Sequence, residues 1–268
     1  MAASDTTEIT SKKPPVVSSL RDLTIIEAFD QGAGESKYVT FYLVTPEDEL
    51  YFGQSFNKKK EISLAEYNAA LKYVPDSEIY PEVPQNDTLT IAPDGLDDTS
   101  AFIKRPGLNS YESMKGSNWV PKGLLEETLV MEQISTTPHP NIVGYLGCRV
   151  RRGRITFLLL ELLDQTLMQY IHEPGFADLD KTKFVDALES AVAHIHSLGL
   201  AHNDINPSNI MVRDGMPVLI DVGSCQPFGG GLQSLGSPGW YEELFFTSQA
   251  KHDTYALKKL REWLEKPE

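Results

Sequence analysis

Apolar positions along the chain follow two rhythms, alternation early and a three-and-four step later. KYVTFYLV (37–44) and ELYFGQSF (49–56) read as strands, and TPEDE between them predicts a hairpin loop. In SLAE (63–66), Ser63 and Glu66 can satisfy each other's end of a first helical turn. Leu64, Tyr67, Leu71 and Val74 then share one helical face until Pro75 stops it. TLTIAP (88–93) and SAFIKRP (100–106) predict a second hairpin around DGLDD. A helix follows over 121–134, with Pro121 suited to its first turn. NIVGYLGCRV (141–150) and RITFLLLELL (154–163) read as strands joined through RRG. From 180 the pattern turns helical: Phe184, Leu188, Ala191, Ile195 and Leu198 line one face, and Gly199 closes it. Two short strands, NIMVRD and PVLIDVG, precede a last helix, SQAKHDTYALKKLREWL (248–264).

Strands dominate the first part and helices the second, which predicts an α+β chain in two lobes. Residues 1–20 are polar with Pro14–Pro15 and are expected to be disordered. Residues 21–79 form a small α+β extension, and YPEVPQND (80–87) looks like a linker. A strand-rich lobe over 80–163 and a helix-rich lobe over 164–268 complete the division.

Composition narrows the class. The chain has 268 residues, 41% of them hydrophobic, enough for one large core or two modest ones. ITFLLLELL (155–163), the longest apolar run, is broken by Glu161 and is far short of the roughly 18 residues that would span a bilayer. The start has no apolar segment of the signal-peptide kind. A soluble intracellular protein is expected, in the cytoplasm or the nucleus, with no membrane partner. Cys148 and Cys225 make no disulfide framework or metal cluster and read as reduced thiols. The net charge of −14 repels a phosphate backbone. KKK (58–60) and RVRRGR (149–154) lack interleaved aromatics and read as solvated turns, so no nucleic-acid partner is expected.

The candidate chemistry lies in HNDINPSNIMV (202–212). Asp204 sits in a loop, Asn209 leads into one apolar run, and Asp221 ends the next. Two antiparallel runs joined by a turn would bring Asn209 and Asp221 together as an oxygen-rich site of the kind Mg²⁺ favours. Asp204 has no basic neighbour in sequence and would be free to accept a proton.

HNDINPSN followed by DVGS resembles the catalytic loop and metal-binding triplet of the protein kinase fold, H-R-D-L-x-x-x-N and D-F-G. That resemblance implies a two-lobed α+β kinase-like fold. Asp204 would be the catalytic base, and Asn209 and Asp221 would hold Mg²⁺. AFIK resembles the strand whose lysine binds the α- and β-phosphates of ATP, which makes Lys104 that residue. LLEETLVMEQI resembles the helix whose glutamate pairs with it. Glu127 fits that role because Val130, Met131 and Ile134 then match its apolar positions, with Glu126 as the alternative. HPNIVGYLG (139–147) is similar to the segment after that helix. LLLELL resembles the hinge, with Leu160 as gatekeeper and Glu161 to Leu163 as the backbone that meets adenine. DTYAL resembles the start of a helix in which Asp253 buttresses the catalytic loop. The resemblance covers about 80–264. The chain is also similar to a fungal group of short kinase-like proteins with AHNDINPSNIM and the ending WLEKPE.

Four features differ from that pattern. No glycine-rich phosphate loop directly precedes Lys104; GAGESKYV (32–39) has part of the spacing but reads as a surface turn. Asn203 stands where an arginine would meet a phosphorylated activation segment, so activity is expected not to depend on that phosphorylation. Asn206 stands where a lysine would lie near the transferring phosphate, a pattern shared with choline and aminoglycoside kinases. The sequence closes soon after the Asp253 helix, which the resemblance reads as a truncated C-terminal lobe, and Glu242 or Glu243 in GSPGWYEEL marks the end of an activation segment. His202 is expected to be structural, Cys225 a small packed side chain and GGG (229–231) a flexible segment. His194 and His196, two apart on a helix, face different ways and make a poor metal pair. The function expected is an ATP- and Mg²⁺-dependent phosphotransferase acting on a hydroxyl of a small molecule or a protein. The alternatives are a pseudokinase binding module and a kinase-fold enzyme turned to non-phosphoryl chemistry on a metabolite.

Overall fold

A computed structural model of the chain describes residues 12–29, 36–85, 88–97, 99–108 and 110–267. They fall into two units, one of residues 1–83, 106–122 and 150–156, the other of 84–105, 123–149 and 157–268.

The first unit is an antiparallel sheet with one helix. β1 (Thr24–Phe29), β2 (Ser36–Val44), β3 (Leu50–Ser55) and β4 (Lys72–Val74) lie in sequential order. Val39 and Phe41 alternate inward on β2 and pack with Tyr51, Tyr67 and Leu71 in one buried cluster. Phe41 meets Tyr67 edge to face with ring centroids 4.6 Å apart. The helix α1 (Leu64–Ala70) opens with the Ser63–Glu66 capping box. It does not run on to Pro75 as the apolar spacing predicts. Leu71 turns extended, and Lys72–Val74 pair with β3, Val74 opposite Leu50. The open edge of β3 offers backbone partners, and Tyr73 and Val74 favour strand geometry.

Three further expectations change within this unit. Residues 12–20, expected to be disordered, are described: Val17 is buried, and its N–H and carbonyl are both satisfied by the Asn68 amide, at 2.8 and 3.0 Å. YPEVPQND is no free linker in its first half, because the Ile155 N–H donates to the Pro81 carbonyl and the Val83 N–H to the Gly153 carbonyl. The turn of RVRRGR is exposed, as expected, but two of its arginines also make hydrogen bonds within the unit. Arg152 donates to both Asp76 carboxylate oxygens at 2.6 and 3.2 Å and to the Glu47 and Asp48 carbonyls. Arg154 donates to the Tyr80 carbonyl and to Glu82. The unit therefore reaches beyond 21–79, taking in 106–122 and 150–156. A sheet this small gains by recruiting a guanidinium and a ring such as Tyr111, which stacks edge-on to Phe52.

The second unit carries the sequence's candidate residues. β5 (Phe102–Lys104), β6 (Tyr145–Arg151) and β7 (Arg154–Leu160) form a sheet in the order β5-β7-β6. The segment 88–93 does not form a hairpin with β5. It runs beside β6 instead, with Ile91 bridging Cys148 in parallel, the Cys148 N–H donating to the Thr90 carbonyl and the Ala92 N–H to the Cys148 carbonyl. Gly147 allows this approach: a Cβ there would lie 2.6 Å from the Ala92 nitrogen and the Thr90 oxygen, and its φ is +121°. The long helix α2 (Trp119–Ser135) extends slightly beyond the predicted 121–134.

The helix α3 (Lys181–Ser197) buries Phe184, Leu188, Ala191 and Ile195, as its spacing predicts, and Gly199 follows at φ +78°. Then come β8 (Leu200–Ala201), the antiparallel pair β9 (Ile210–Arg213) and β10 (Met216–Leu219), and β11 (Gln226–Pro227), which pairs with β8. In the last helix, α4 (Ala250–Glu265), Ala256, Leu257, Leu260 and Leu264 are buried, while Lys258, Arg261 and Glu262 hold the opposite side. A turn at Leu167–Tyr170, capped by Thr166 and Gln169, had no periodic signal to announce it. No helix among the described residues is long and apolar enough to cross a membrane.

Candidate functional site

Alternation along β5 decides which way its side chains point. Ile103 packs with the cluster of Ala92, Ala101, Phe157 and Leu159. Phe102 and Lys104 therefore share the other face, opposite Leu160 and Leu158 of β7. On that face the Lys104 ammonium is paired with Glu127 Oε1 of α2 and lies 2.8 Å from Asp221 Oδ1. Glu127 is the partner because Val130, Met131 and Ile134 on the same helix are buried and fix its rotation. Glu126, the alternative, instead accepts from the Gln226 side chain at 3.0 Å.

The charges of this trio depend on one another. Burial pushes the Glu127 carboxyl up from its ordinary value, and the Lys104 ammonium opposes that shift without cancelling it. Burial also works to raise Asp221, but there the Lys104 charge and the Gly223 N–H outweigh it and hold the carboxyl low. Lys104 stays firmly protonated, since two carboxylates overcome the cost of its burial. Asp221 itself sits at φ +59°, the left-handed region that Asp tolerates better than most residues. Its Oδ1 also accepts from the Gly223 N–H at 3.2 Å.

The loop before it is wired by side chains. The Ile220 N–H donates to the Asn209 carbonyl at 3.0 Å, which sets Asn209 beside the residue preceding Asp221. The Asn209 amide donates to Asp204 Oδ2 at 2.9 Å. Asp204 Oδ1 accepts from the Ser237 N–H at 2.7 Å and from the Asn206 amide at 3.0 Å. Three donors thus converge on one carboxylate, which accepts from all of them. His202 is structural: its Nε2 lies 3.0 Å from the Ile220 carbonyl and its Nδ1 accepts from the Asp204 N–H. Asp253, fully buried, accepts from the His202 and Asn203 N–H groups at 2.8 and 2.7 Å and meets His196 Nε2 at 2.8 Å. Asn203, at φ +64°, donates its amide to the Ala201 and Ser224 carbonyls and the Ser248 hydroxyl.

A cavity of about 310 Å³ opens beside Lys104 and Asp221. Val143, Leu160, Leu163, Met211 and Ile220 give it apolar walls, and Phe102 stands at its rim. Glu161 also lines it, but its side chain is fixed by the Gly144 N–H at 2.9 Å and by Arg213 at 2.8 Å. The arrangement is a largely apolar cavity with one cation and several oxygens at its end.

A family model of the protein kinase domain matches residues 105–256. The chain belongs to the protein kinase domain family. Curated relatives include the serine/threonine-protein kinase/endoribonuclease IRE2 of Homo sapiens, 31% identical over 117 residues, or 38% of this chain and 12% of that one. Another is the serine/threonine-protein kinase/endoribonuclease IRE1 of Hypocrea jecorina (strain QM6a), 32% identical over 111 residues, 37% of this chain and 9% of that one. The sperm motility kinase Tcr mutant form of Mus musculus is 33% identical over 117 residues, 42% of this chain and 22% of that one. The match thus spans less than a quarter of each of these relatives.

The residues singled out from sequence form two linked groups. Lys104, Glu127 and Asp221 are in direct contact, and Asp204 and Asn209 are bonded to each other. Leu160, Glu161 and Leu163 join Lys104 and Asp221 along the cavity. Glu243 stands apart in a loose pair with Lys251 at 3.9 Å, both exposed. The partial glycine motif at Gly32–Gly34 lies outside the described residues. Ser237, Val143, Met211 and Phe102 were not singled out. Ser237 reaches Asp204 from 33 residues away, a closure that no local spacing reports. Met211 and Val143 looked like ordinary strand positions.

Proposed function

We propose that the chain is an ATP- and Mg²⁺-dependent phosphotransferase acting on a hydroxyl group. The observation that carries the proposal is the Lys104 ammonium held between Glu127 and Asp221 at the end of an apolar cavity. In this role Lys104, positioned by Glu127, takes the α- and β-phosphates. The adenine lies in the slot beneath Leu160, against the Glu161 carbonyl and the Leu163 backbone. Glu161's own N–H is already spent on the Gly144 carbonyl at 2.9 Å.

Asn209 and Asp221 suit Mg²⁺ because they offer hard oxygen ligands and need only one or two protein groups beside phosphate oxygens. Asn209 uses its NH₂ on Asp204, which leaves the amide oxygen for the cation. When bound, Mg²⁺ neutralises charge on the β- and γ-phosphates. Asp204 receives the acceptor hydroxyl's proton on its carboxylate and orients that oxygen for in-line attack. The attacking oxygen gains the phosphoryl group, and ADP leaves with the electrons of the broken bond. Asn206 supplies an amide where a cation would stabilise the transferring charge, so modest turnover is expected. The acceptor belongs to a small molecule or a protein.

A second reading, a binding module that holds nucleotide without transfer, draws on one observation. β5 is the edge strand of its sheet, and among the described residues no further strand pairs with it. A thermal-shift titration with ATP and Mg²⁺ tests both. Concentration-dependent stabilisation of the wild type, lost in Lys104→Met, with ADP formed, supports the phosphotransferase. Stabilisation without ADP on any acceptor supports the module, and no stabilisation overturns both.

A further inference from the structure

Away from Lys104, the second unit has a smaller cavity, of about 70 Å³, between residues 241–245 and the first turns of α4. That space holds about four or five water-sized atoms, the size of one guanidinium. Tyr241, Phe245 and Tyr255 supply aromatic walls. Tyr241 meets Phe245 edge to face with ring centroids 5.9 Å apart, and Phe245 stands edge-on to His252. The polar groups of this cavity are unspent. Among the described residues, Glu242 has no hydrogen bond or ion pair, and Glu243 has only its loose pair with Lys251 at 3.9 Å. His252 is 8% exposed, yet its Nε2 has no hydrogen-bond partner.

A buried nitrogen without a partner, two carboxylates and the negative faces of three rings are all satisfied by one kind of group, a cation rich in N–H donors. A metal ion suits the cavity less, since among the described residues no group of three or more His, Cys, Asp or Glu is placed to hold one. The net charge of −14 draws cations to the chain. The same loop already holds one against a ring: the Lys259 ammonium stands 5.7 Å from the centroid of Trp240. Leu244 and Phe246, on either side of Phe245, are 62% and 66% exposed. A free small cation leaves them in water, whereas a polypeptide carrying the cation covers them.

We propose that this cavity is the docking site for an arginine side chain of a partner protein, presented on a basic segment with apolar neighbours. The guanidinium stacks on the aromatic walls, donates to Glu242 and Glu243 and reaches His252 Nε2. Arginine is preferred to lysine because its planar fork stacks on rings and serves several acceptors at once. Lys251, with its side chain 64% exposed, is the cation that the incoming group displaces from Glu243. The site does not depend on the nucleotide reading of the other cavity.

The test is fluorescence anisotropy of the full chain with short labelled peptides at near-physiological salt. One peptide carries a single arginine between two leucines. Its controls replace that arginine with lysine, or with citrulline, which keeps the shape and loses the charge. The variants are Tyr255→Leu, Lys251→Ala and the pair Glu242→Gln with Glu243→Gln, and unfolding temperatures check that each folds. The arginine peptide is expected to bind the wild type about ten-fold more tightly than the citrulline peptide, with lysine between them. Tyr255→Leu and the paired glutamate variant should each weaken the arginine peptide by about ten-fold, and Lys251→Ala should tighten it. Tyr255→Leu leaves the net charge unchanged, so its effect separates this cavity from general attraction to an acidic surface. Equal binding of the arginine and citrulline peptides to the wild type, including none by either at millimolar concentration, overturns the proposal whether or not the variants fold. So does undiminished binding by folded Tyr255→Leu or by the paired glutamate variant. Free arginine or tetramethylammonium binding as tightly as the peptide puts a small cation in the cavity and overturns it too.

Discussion

The Lys104 ammonium lies 2.8 Å from Asp221 Oδ1 although 117 residues separate them in the chain. The same ammonium is paired with the buried Glu127. Removing it leaves a buried carboxylate without its counter-charge, whereas removing both partners leaves only a small apolar gap. Lys104→Met alone is expected to cost about 2–4 kcal/mol, reduced from the fully buried case because Asp221 is half exposed. Lys104→Met with Glu127→Leu is expected to cost less than the sum of the two single changes. Urea denaturation of the four proteins checks this, and strict additivity would show that the pair is not coupled.

Asn203 is 96% buried, and its NH₂ joins the loop after β8 to both ends of the segment 224–248. Asn203→Asp points a carboxylate at two carbonyls and is expected to cost about 2–4 kcal/mol. Hydrogen exchange should quicken more in 224–248 than in α3. Unchanged exchange in that segment would remove Asn203 from the role. Phosphatase treatment of the wild type is expected to leave turnover as it was.

His252 is buried, and its Nε2 has no hydrogen-bond partner. Its ring centroid is 3.6 Å from that of Phe245. Burial lowers its pKa below the ordinary 6.5, and Asp253 opposes the shift only in part. The unfolded chain therefore takes up this proton more readily than the folded one. Stability is intact above the ordinary value and falls as pH drops through it toward the lowered one. Unfolding temperatures measured between pH 7.5 and 5.5 should decline, and His252→Gln should flatten that decline. A parallel decline in the variant would assign it to other groups.

Much of the second unit was legible because its signals are local. The α3 face, the Gly199 cap and the order of short motifs from AFIK to DTYAL each lie within a few residues. Glu127 is preferred over Glu126 because helix rotation follows from Val130, Met131 and Ile134, and all three are buried. What failed depended on partners far away in sequence. The apolar spacing of 64–75 carries the helix through Val74, because the open edge of β3 cannot be seen from those residues. The segment 88–93 was paired with its nearest neighbour, although Gly147, remote in sequence, opens a place for it beside β6. Nor does local spacing show that Arg152, exposed as expected, has acceptors in Asp76 and the Glu47 and Asp48 carbonyls, in another stretch of the chain. Phe102 passed unremarked, since alternation marks its face but not that its strand is an edge.

The most direct test of the account is ADP formation from ATP and Mg²⁺ by the wild type and by Asp204→Asn, in the presence of a panel of hydroxyl acceptors. The substitution keeps the shape of a side chain held by Ser237, Asn206 and Asn209 but removes its ability to take a proton. The account expects Asp204→Asn to bind nucleotide nearly as well as the wild type and to form ADP at least a hundred-fold more slowly, the lower end of the usual range for losing a positioned base. Equal rates of ADP formation by the two proteins would contradict it.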